Sequence, residues 1–274
     1  MVDFTKIQLF LQGHQIDEGY ALLDLFRENF DFGKDINITI VTNSQDNNYK
    51  DGIVNSTEDC FIRLGSNRGY WDGCLDNWNA ALQKARLNNL PYTIIMNFDF
   101  WFTKQEGFLN VVSDFIESEK SIGTHYSTSP YDGNFFYLPT DFMMFKTDLI
   151  HKMQRLNDEI LPFRENNKEL LTKEKAADQR CFEERMLKVL FDALNIDYSN
   201  IGLETEDEFY YGTRLIEDYS FIFDYILPPY NDYDNLNINK YFCLHTHDKN
   251  FKNRKMIEEG YTKGKNLRNF FNIQ

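Results

Sequence analysis

The chain has 274 residues, 42% of them hydrophobic, and carries a formal net charge of −14 at pH 7. This length and hydrophobic content suffice for the packed core of one large domain. The acidic balance disfavours nucleic acid as a main partner, because a phosphate backbone is bound through basic surface. A single nucleotide remains open as a ligand, since a bound divalent cation reverses the local sign of a site.

The four cysteines are scattered along the chain and show no CxxC spacing, which is typical of small core residues in a reducing compartment. The first residues lack the basic and apolar regions of a signal peptide. No run of about 18 apolar residues is present that would span a membrane. These features predict a soluble, cytoplasmic protein without a transmembrane segment.

Apolar, β-branched segments alternate with helical patterns along the first two thirds of the chain. The predicted elements, in chain order, are a strand at 6–12, a helix at 20–30, strands at 35–42 and 59–64, a helix at 72–85, a strand at 91–96, a helix at 106–118, strands within 121–127 and 135–145, and helices at 147–156 and 173–194. This alternation is typical of a mostly parallel central sheet flanked by helices. The C-terminal part is acidic, rich in Tyr and Asn, and predicts an irregular elaboration of the fold.

Segment 64–102 is the most informative, because it predicts a turn, a helix and a buried strand with an acid, Asp99, at the strand's carboxyl end. Ligands bind at that end of the strands in open α/β sheets. A carboxylate there suits a metal ion that carries a phosphate, since hard cations prefer oxygen ligands. An acid that caps a helix or closes a turn is the structural alternative.

The same segment contains an ordered set of amides around Asp99. The motif at 67–69 (NRG) precedes a helix with Asn77 and Asn79, and the next strand ends in the motif at 97–99 (NFD). This order resembles the nucleotide-sugar-binding half of GT-A glycosyltransferases, whose pattern is N-x-G, a helix with another Asn, a buried strand and Asp-x-Asp. The chain departs from that pattern at Asn97, which replaces the first acid.

The resemblance implies a GT-A-like fold and a single catalytic domain, 1–274, with the nucleotide-sugar-binding half at about 1–105 and the acceptor-binding half with the C-terminal segment at about 106–274. It implies transfer of a sugar from a UDP- or GDP-sugar to a hydroxyl of a glycan, lipid-linked or protein-linked acceptor, assisted by Mn²⁺ or Mg²⁺. In the family, the last acid of the motif ligates the metal. The first acid mainly holds ribose or sugar hydroxyls, a task that is open to an amide such as Asn97.

By the same resemblance, the donor is held by strand ends, the amide-bearing helix and a basic residue near the C-terminal end. The implied donor contacts are Gln12, Gly13, Asn43, Ser44, Asn67, Gly69, Asn77, Asn97, Phe98 and either Lys249 or Lys252. The implied metal ligands are Asp99 and one of His245 and His247, which alternate along a predicted strand and so face opposite ways. Trp101 is a candidate to line the acceptor site, where sugars pack on aromatic rings.

An inverting transferase needs a carboxylate that takes the proton of the acceptor hydroxyl. The resemblance implies Asp178, although a solvated helix charge explains that residue equally well. Asp141 is the other candidate, because a charge directly before the apolar run 142–145 is unexpected unless it faces a cleft. A retaining reaction would need neither residue as a base.

Two other functions fit the same sequence. A GT-A-like scaffold that binds a glycan or a partner without turnover is one, and the replacement at Asn97 keeps it open. Another metal-dependent, phosphate-handling α/β enzyme is the second, although the sequence has no GxxxxGK[ST] phosphate loop.

Overall fold

A computed structural model describes residues 2–44, 60–67, 70–102, 105–124, 127–128, 136–137, 141–152, 187, 191–192, 195–200, 221–225 and 243–246. The helices with described bounds are α1 (Ile16–Asp24), α2 (Tyr70–Asn88), α3 (Gln105–Glu117) and α4 (Thr147–Lys152). The strands are β1 (Ile7–Gly13), β2 (Asn37–Thr42), β3 (Cys60–Arg63), β4 (Tyr92–Asn97), β5 (Phe100–Phe102), β6 (Ile122–Thr124), β7 (Ser127–Thr128), β8 (Phe136–Tyr137), β9 (Phe142–Lys146), β10 (Tyr198–Asn200), β11 (Phe221–Tyr225) and β12 (Cys243–Thr246).

Seven strands form the central sheet, in the order β10-β6-β9-β4-β1-β2-β3. Every neighbouring pair is parallel except the two that involve β9, which runs antiparallel to both β4 and β6. The predicted mostly parallel sheet flanked by helices is therefore confirmed. A smaller sheet joins β11, β12 and β5, and β7 pairs with β8.

Both faces of the central sheet are buried, which explains why the middle of strands such as β4 and β9 is mainly apolar. On one face, Leu9 and Leu11 of β1 pack with residues of α1 and α3. On the other face, Phe10 packs with Trp78 of α2 and with residues of α4. Helices therefore cover both faces of the sheet but not the edge that is formed by the carboxyl ends of its parallel strands.

Several predicted elements differ in their bounds. The helix predicted at 20–30 begins at Ile16 and continues beyond Asp24 as a π-helical turn, Leu25–Asn29. The strand predicted within 121–127 is divided between β6 and β7, which belong to different sheets, and the one within 135–145 is divided between β8 and β9. Most of the helix predicted at 173–194 lies outside the described residues.

The order of the strands creates a switch point beside β1. The chain builds β2 and β3 on one side of β1 and then returns to its other side with β4. Connections that leave in opposite directions open a crevice at the carboxyl ends of the strands, and ligands of open α/β sheets bind there. Across the described helices, none combines the length and the apolar character required to traverse a bilayer.

Candidate functional site

Three polar side chains meet where β1, β4 and β9 come together at the switch point. Gln12 Nε2 donates a hydrogen bond to Asn97 Oδ1, and Asn97 Nδ2 donates to Asp141 Oδ1 at 3.0 Å. We call Gln12, Asn97 and Asp141 the polar triad. Asp141 reaches this position because it directly precedes β9, whose antiparallel pairing aligns Phe142 with Met96 at the end of β4.

Backbone hydrogen bonds also hold the segments that carry these three residues together. Asn97 N donates to Asp141 O at 2.8 Å, and Phe98 N donates to Gln12 O at 2.8 Å. Gln12 is 2% exposed, whereas Asn97 and Asp141 are half-buried. The polar triad therefore runs from the protein interior towards the crevice, and its partners satisfy the buried amide of Gln12.

Asp99 lies in the turn that joins β4 to β5 and is half-buried. The intervening Phe98 is 3% exposed, and its ring packs against two glycines. A Cβ atom on Gly13 would lie 2.5 Å from Phe98 Cδ2, and one on Gly19 would lie 2.6 Å from Phe98 Cζ. Phe98, predicted as a donor contact, thus has a side chain that packs beneath the site and anchors the turn that carries Asp99.

The prediction that Trp101 lines an acceptor site is wrong. Its side chain is fully buried, and its Nε1 donates to Phe98 O at 2.8 Å. A ring enclosed by protein cannot pack on a sugar. Trp101 instead holds the backbone of the turn that contains Asp99.

A second group of polar residues lies at the end of β2 and the start of α2. Asn43 Nδ2 lies 3.5 Å from its acceptor Asn67 Oδ1, and Asn77 Nδ2 lies 3.5 Å from Gly13 O. Ser44 N donates to Thr42 Oγ1 at 3.0 Å. The structure thus brings together predicted donor-contacting residues that are far apart in the sequence.

Asn77 is 2% exposed, and its Oδ1 is buried with no hydrogen-bond partner among the described residues. A buried acceptor without a partner costs free energy, and a donor group of a ligand would remove that cost. The Asn77 amide is therefore suited to accept a hydrogen bond from a polar ligand.

Two residues of this site are not singled out by the sequence patterns. Gly73 lies on α2 beside Asn43 and Asn67, and Arg63 Nε at the end of β3 donates to Ser44 O at 3.0 Å. A basic residue at the carboxyl end of a predicted strand is the signal that points to Arg63. Gly73 has no comparable signal, because its importance depends on contacts between distant segments.

Gly73 provides a test of the amide group that leaves the rest of the fold in place. A Cβ atom there would lie 2.5 Å from Asn43 Nδ2 and 2.9 Å from Asn67 Oδ1, so Gly73→Ala must displace these amides. Alanine also favours a helix over glycine by about 1 kcal/mol. We expect unchanged or higher thermal stability together with a roughly tenfold loss of affinity for the nucleotide ligand that the sequence predicts, because one hydrogen bond is lost.

Isothermal titration with the nucleotide and thermal unfolding of the same samples measure both effects. Gln83→Ala, at an exposed position of α2, is the matched control, since it also raises helix propensity and adds no atom near Asn43. An affinity that falls equally in both variants would trace the effect to the helix and not to the amides.

The proposed metal ligands are described only in part. β12 pairs antiparallel with β5 and aligns His245 with Phe100, the residue that follows Asp99. Gly69, Asp178, His247 and Lys249 lie outside the described residues, and so does the side chain of His245. In the part of the chain that is described, no three His, Cys, Asp or Glu side chains gather as metal ligands.

Comparison with known proteins gives no match to a protein-family model and none to a curated protein. The chain is similar in fold to solved glycosyltransferases. The mannosyltransferase PcManGT from Pyrobaculum calidifontis, in complex with GDP-Man and Mn²⁺, has a TM-score of 0.39 and 9% identity over 55% of this chain and 47% of its own. The galactosyltransferase LgtC, with donor and acceptor sugar analogues, has a TM-score of 0.40 and 10% identity over 70% and 73%.

A cytidylyltransferase from Leptospira borgpetersenii is also similar, with a TM-score of 0.36 and 15% identity over 60% of this chain and 72% of its own. The chain spans about half of the length of the mannosyltransferase. These likenesses concern the arrangement of strands and helices alone.

Proposed function

We propose that this protein is a glycosyltransferase that moves a sugar from a UDP- or GDP-sugar to a hydroxyl of a glycan, lipid-linked or protein-linked acceptor. The observation that carries the proposal is the position of the turn with Asn97 and Asp99 at the switch point. Gln12 of β1 donates to Asn97, and Asn77 of α2 lies 3.5 Å from the carbonyl oxygen of Gly13 at the end of β1. A crevice with these residue types suits a ligand that has a base, hydroxyls and a diphosphate.

The donor would be bound mainly through amides and backbone groups at the strand ends. Each amide side chain both donates and accepts, as the edges of uracil and guanine and the hydroxyls of ribose require. Lys249 would face the diphosphate. The residues proposed for donor binding are Gln12, Gly13, Asn43, Ser44, Asn67, Gly69, Asn77 and Asn97.

Asp99 would hold Mn²⁺ or Mg²⁺ together with His245 or His247. Its carboxylate fits the preference of hard cations for oxygen, and the pairing of β12 with β5 brings the backbone of His245 to the neighbouring position. Such a cation, when bound, stabilises the negative charge that the diphosphate gains as it leaves.

A carboxylate would take the proton of the acceptor hydroxyl if the reaction inverts configuration. Asp178 and Asp141 are the two proposed bases, and Asp141 belongs to the polar triad at the crevice.

We further propose a single catalytic domain, with a donor-binding half at about 1–105 and an acceptor-binding half beyond it. Strands from both halves contribute to the central sheet, which supports this organisation.

The proposed function is tested by thermal unfolding in the presence of UDP-, GDP-, CMP- and dTDP-sugars, each with and without Mn²⁺. We expect one UDP- or GDP-sugar to raise the unfolding temperature and Mn²⁺ to enlarge the shift, because a ligand that binds the native state stabilises it. Release of free nucleoside diphosphate from that donor, without acceptor, then separates turnover from mere binding.

Other outcomes assign other functions. A shift that is independent of Mn²⁺ would keep the transferase but remove Asp99 as a metal ligand. The absence of a shift with every nucleotide sugar would favour the scaffold that binds a glycan or a partner.

A further inference from the structure

Asn97 occupies the position of the first acid in the Asp-x-Asp pattern, and both ends of its amide are used within the protein. Its Oδ1 accepts from Gln12 Nε2, and its Nδ2 donates to Asp141 Oδ1 at 3.0 Å. An aspartate at 97 could not make the second bond, because an ionised carboxylate has no hydrogen to donate. The amide is thus the residue type that suits an ionised Asp141 as neighbour.

An aspartate at 97 would also create an unfavourable pair. Its carboxylate would lie at hydrogen-bond distance from that of Asp141, and two carboxylates so close cannot both ionise without a large penalty. The side chains at 97 and 141 are therefore coupled: one of them can be a carboxylate, and the other has to be a hydrogen-bond donor.

We propose that Asp141 supplies, from the neighbouring antiparallel strand, the carboxylate that the Asp-x-Asp pattern carries at position 97. Its ligand class is the hydroxyl groups of the donor's ribose or sugar, which donate to carboxylate oxygens. Gln12 and Asn97 are positioning residues, which orient this carboxylate. This inference rests on the proposed binding of a nucleotide sugar.

The polar triad is built to hold such a group in one orientation. Its members belong to β1, β4 and the residue that enters β9, and the strands are joined by regular pairing next to them. Gln12 is enclosed by the core, with Nε2 also 3.7 Å from Cys74 Sγ. A side chain supported from rigid strands keeps its geometry better than one supported from a loop.

Exchanging the side chains at positions 97 and 141 tests this inference. We expect Asn97→Asp to weaken donor binding about tenfold or more at pH 7, since two carboxylates then compete at one place. Asn97→Asp with Asp141→Asn restores one carboxylate and one amide, and we expect donor affinity within about threefold of the wild type.

Asp141→Asn alone is the variant that is safest for folding, because asparagine has the same shape and its oxygen still accepts from Asn97. We expect an unchanged unfolding temperature and a donor affinity reduced about tenfold. Asp148→Asn, at an exposed position of α4, is the matched control and should bind donor like the wild type. Affinities are measured by titration with the donor in Mn²⁺ at pH 7.

The outcomes separate this inference from the proposed function. If the wild type binds no nucleotide sugar, the proposed function fails and the inference fails with it. If the wild type binds one but the exchange does not restore affinity, or Asp141→Asn binds normally, the inference alone is overturned. Loss of donor affinity in Asn97→Asp, together with its recovery in the double variant, supports it.

Discussion

Replacing Asp99 with alanine is expected to abolish Mn²⁺-dependent donor binding and to leave the fold intact. Asp99 lies in a turn outside the two apolar cores, so its removal creates no cavity among packed side chains. Loss of a direct ligand should exceed the roughly 10–100-fold effect that loss of an outer-shell partner has on a metal site. Thermal unfolding with the donor, with and without Mn²⁺, measures the change.

Two comparisons sharpen this experiment. Asp99→Asn keeps the size of the side chain and removes its charge, so it should lose most of the Mn²⁺ effect but retain any binding through neutral contacts. Asp148→Ala removes a carboxylate from an exposed position of α4 and should behave like the wild type. An Asp99→Ala protein whose Mn²⁺-dependent affinity equals that of the wild type would refute the metal-ligand role.

Replacing Asp178 with asparagine is expected to lower kcat by about 10²–10⁴-fold while donor affinity is preserved. A general base acts in the transition state, so its loss reduces the rate and not the binding of the ground state. Titration with the donor and the initial rate of nucleoside diphosphate release, measured on the same preparation, separate the two quantities.

Asp141→Asn is the contrasting variant, because Asp141 is proposed to hold the hydroxyls of the donor and is also the second candidate base. We expect its main effect on the KM of the donor, with a smaller change in kcat. A large fall in kcat for Asp141→Asn and none for Asp178→Asn would assign the base to Asp141 instead. Equal kcat values for both variants and the wild type would favour a reaction without a protein base.

The buried strands of the central sheet could be predicted because burial on both faces selects apolar, β-branched residues locally. The start of α1 was less predictable than these strands. Its N-cap is Gln15, which makes no side-chain capping bond, so the usual Ser, Thr, Asp or Asn signal is absent. The helical pattern becomes visible only at Tyr20, one turn after the helix begins.

The division of two predicted strands depends on tertiary partners. β6 and β7 are separated by only two residues, yet β6 pairs within the central sheet and β7 pairs with β8. Strand preference reflects packing against cross-strand neighbours more than an intrinsic tendency of the residues. The local sequence therefore predicts extended backbone there but does not predict to which sheet it belongs.

In the candidate site too, the local sequence predicts single positions but not the contacts between distant segments. The position of Asp99 after a buried strand follows from the local pattern, whereas the bonds of Asn97 to Gln12 and Asp141 depend on the register of β4 with β1 and β9. Trp101 stands between Phe100 and Phe102 in β5, and all three side chains are fully buried. Aromatic composition alone does not distinguish a core strand from a sugar-binding surface.

The pairing of β5 with β12 has a consequence for synthesis of the protein on the ribosome. β5 consists of Phe100, Trp101 and Phe102, and its described partner strand is made only after residue 242 has been translated. Until then, this apolar, aromatic strand lacks its partner among the described strands, and an unpaired strand edge favours association with other chains. Fragments that end before β12 would therefore keep this aggregation-prone strand directly after Asp99.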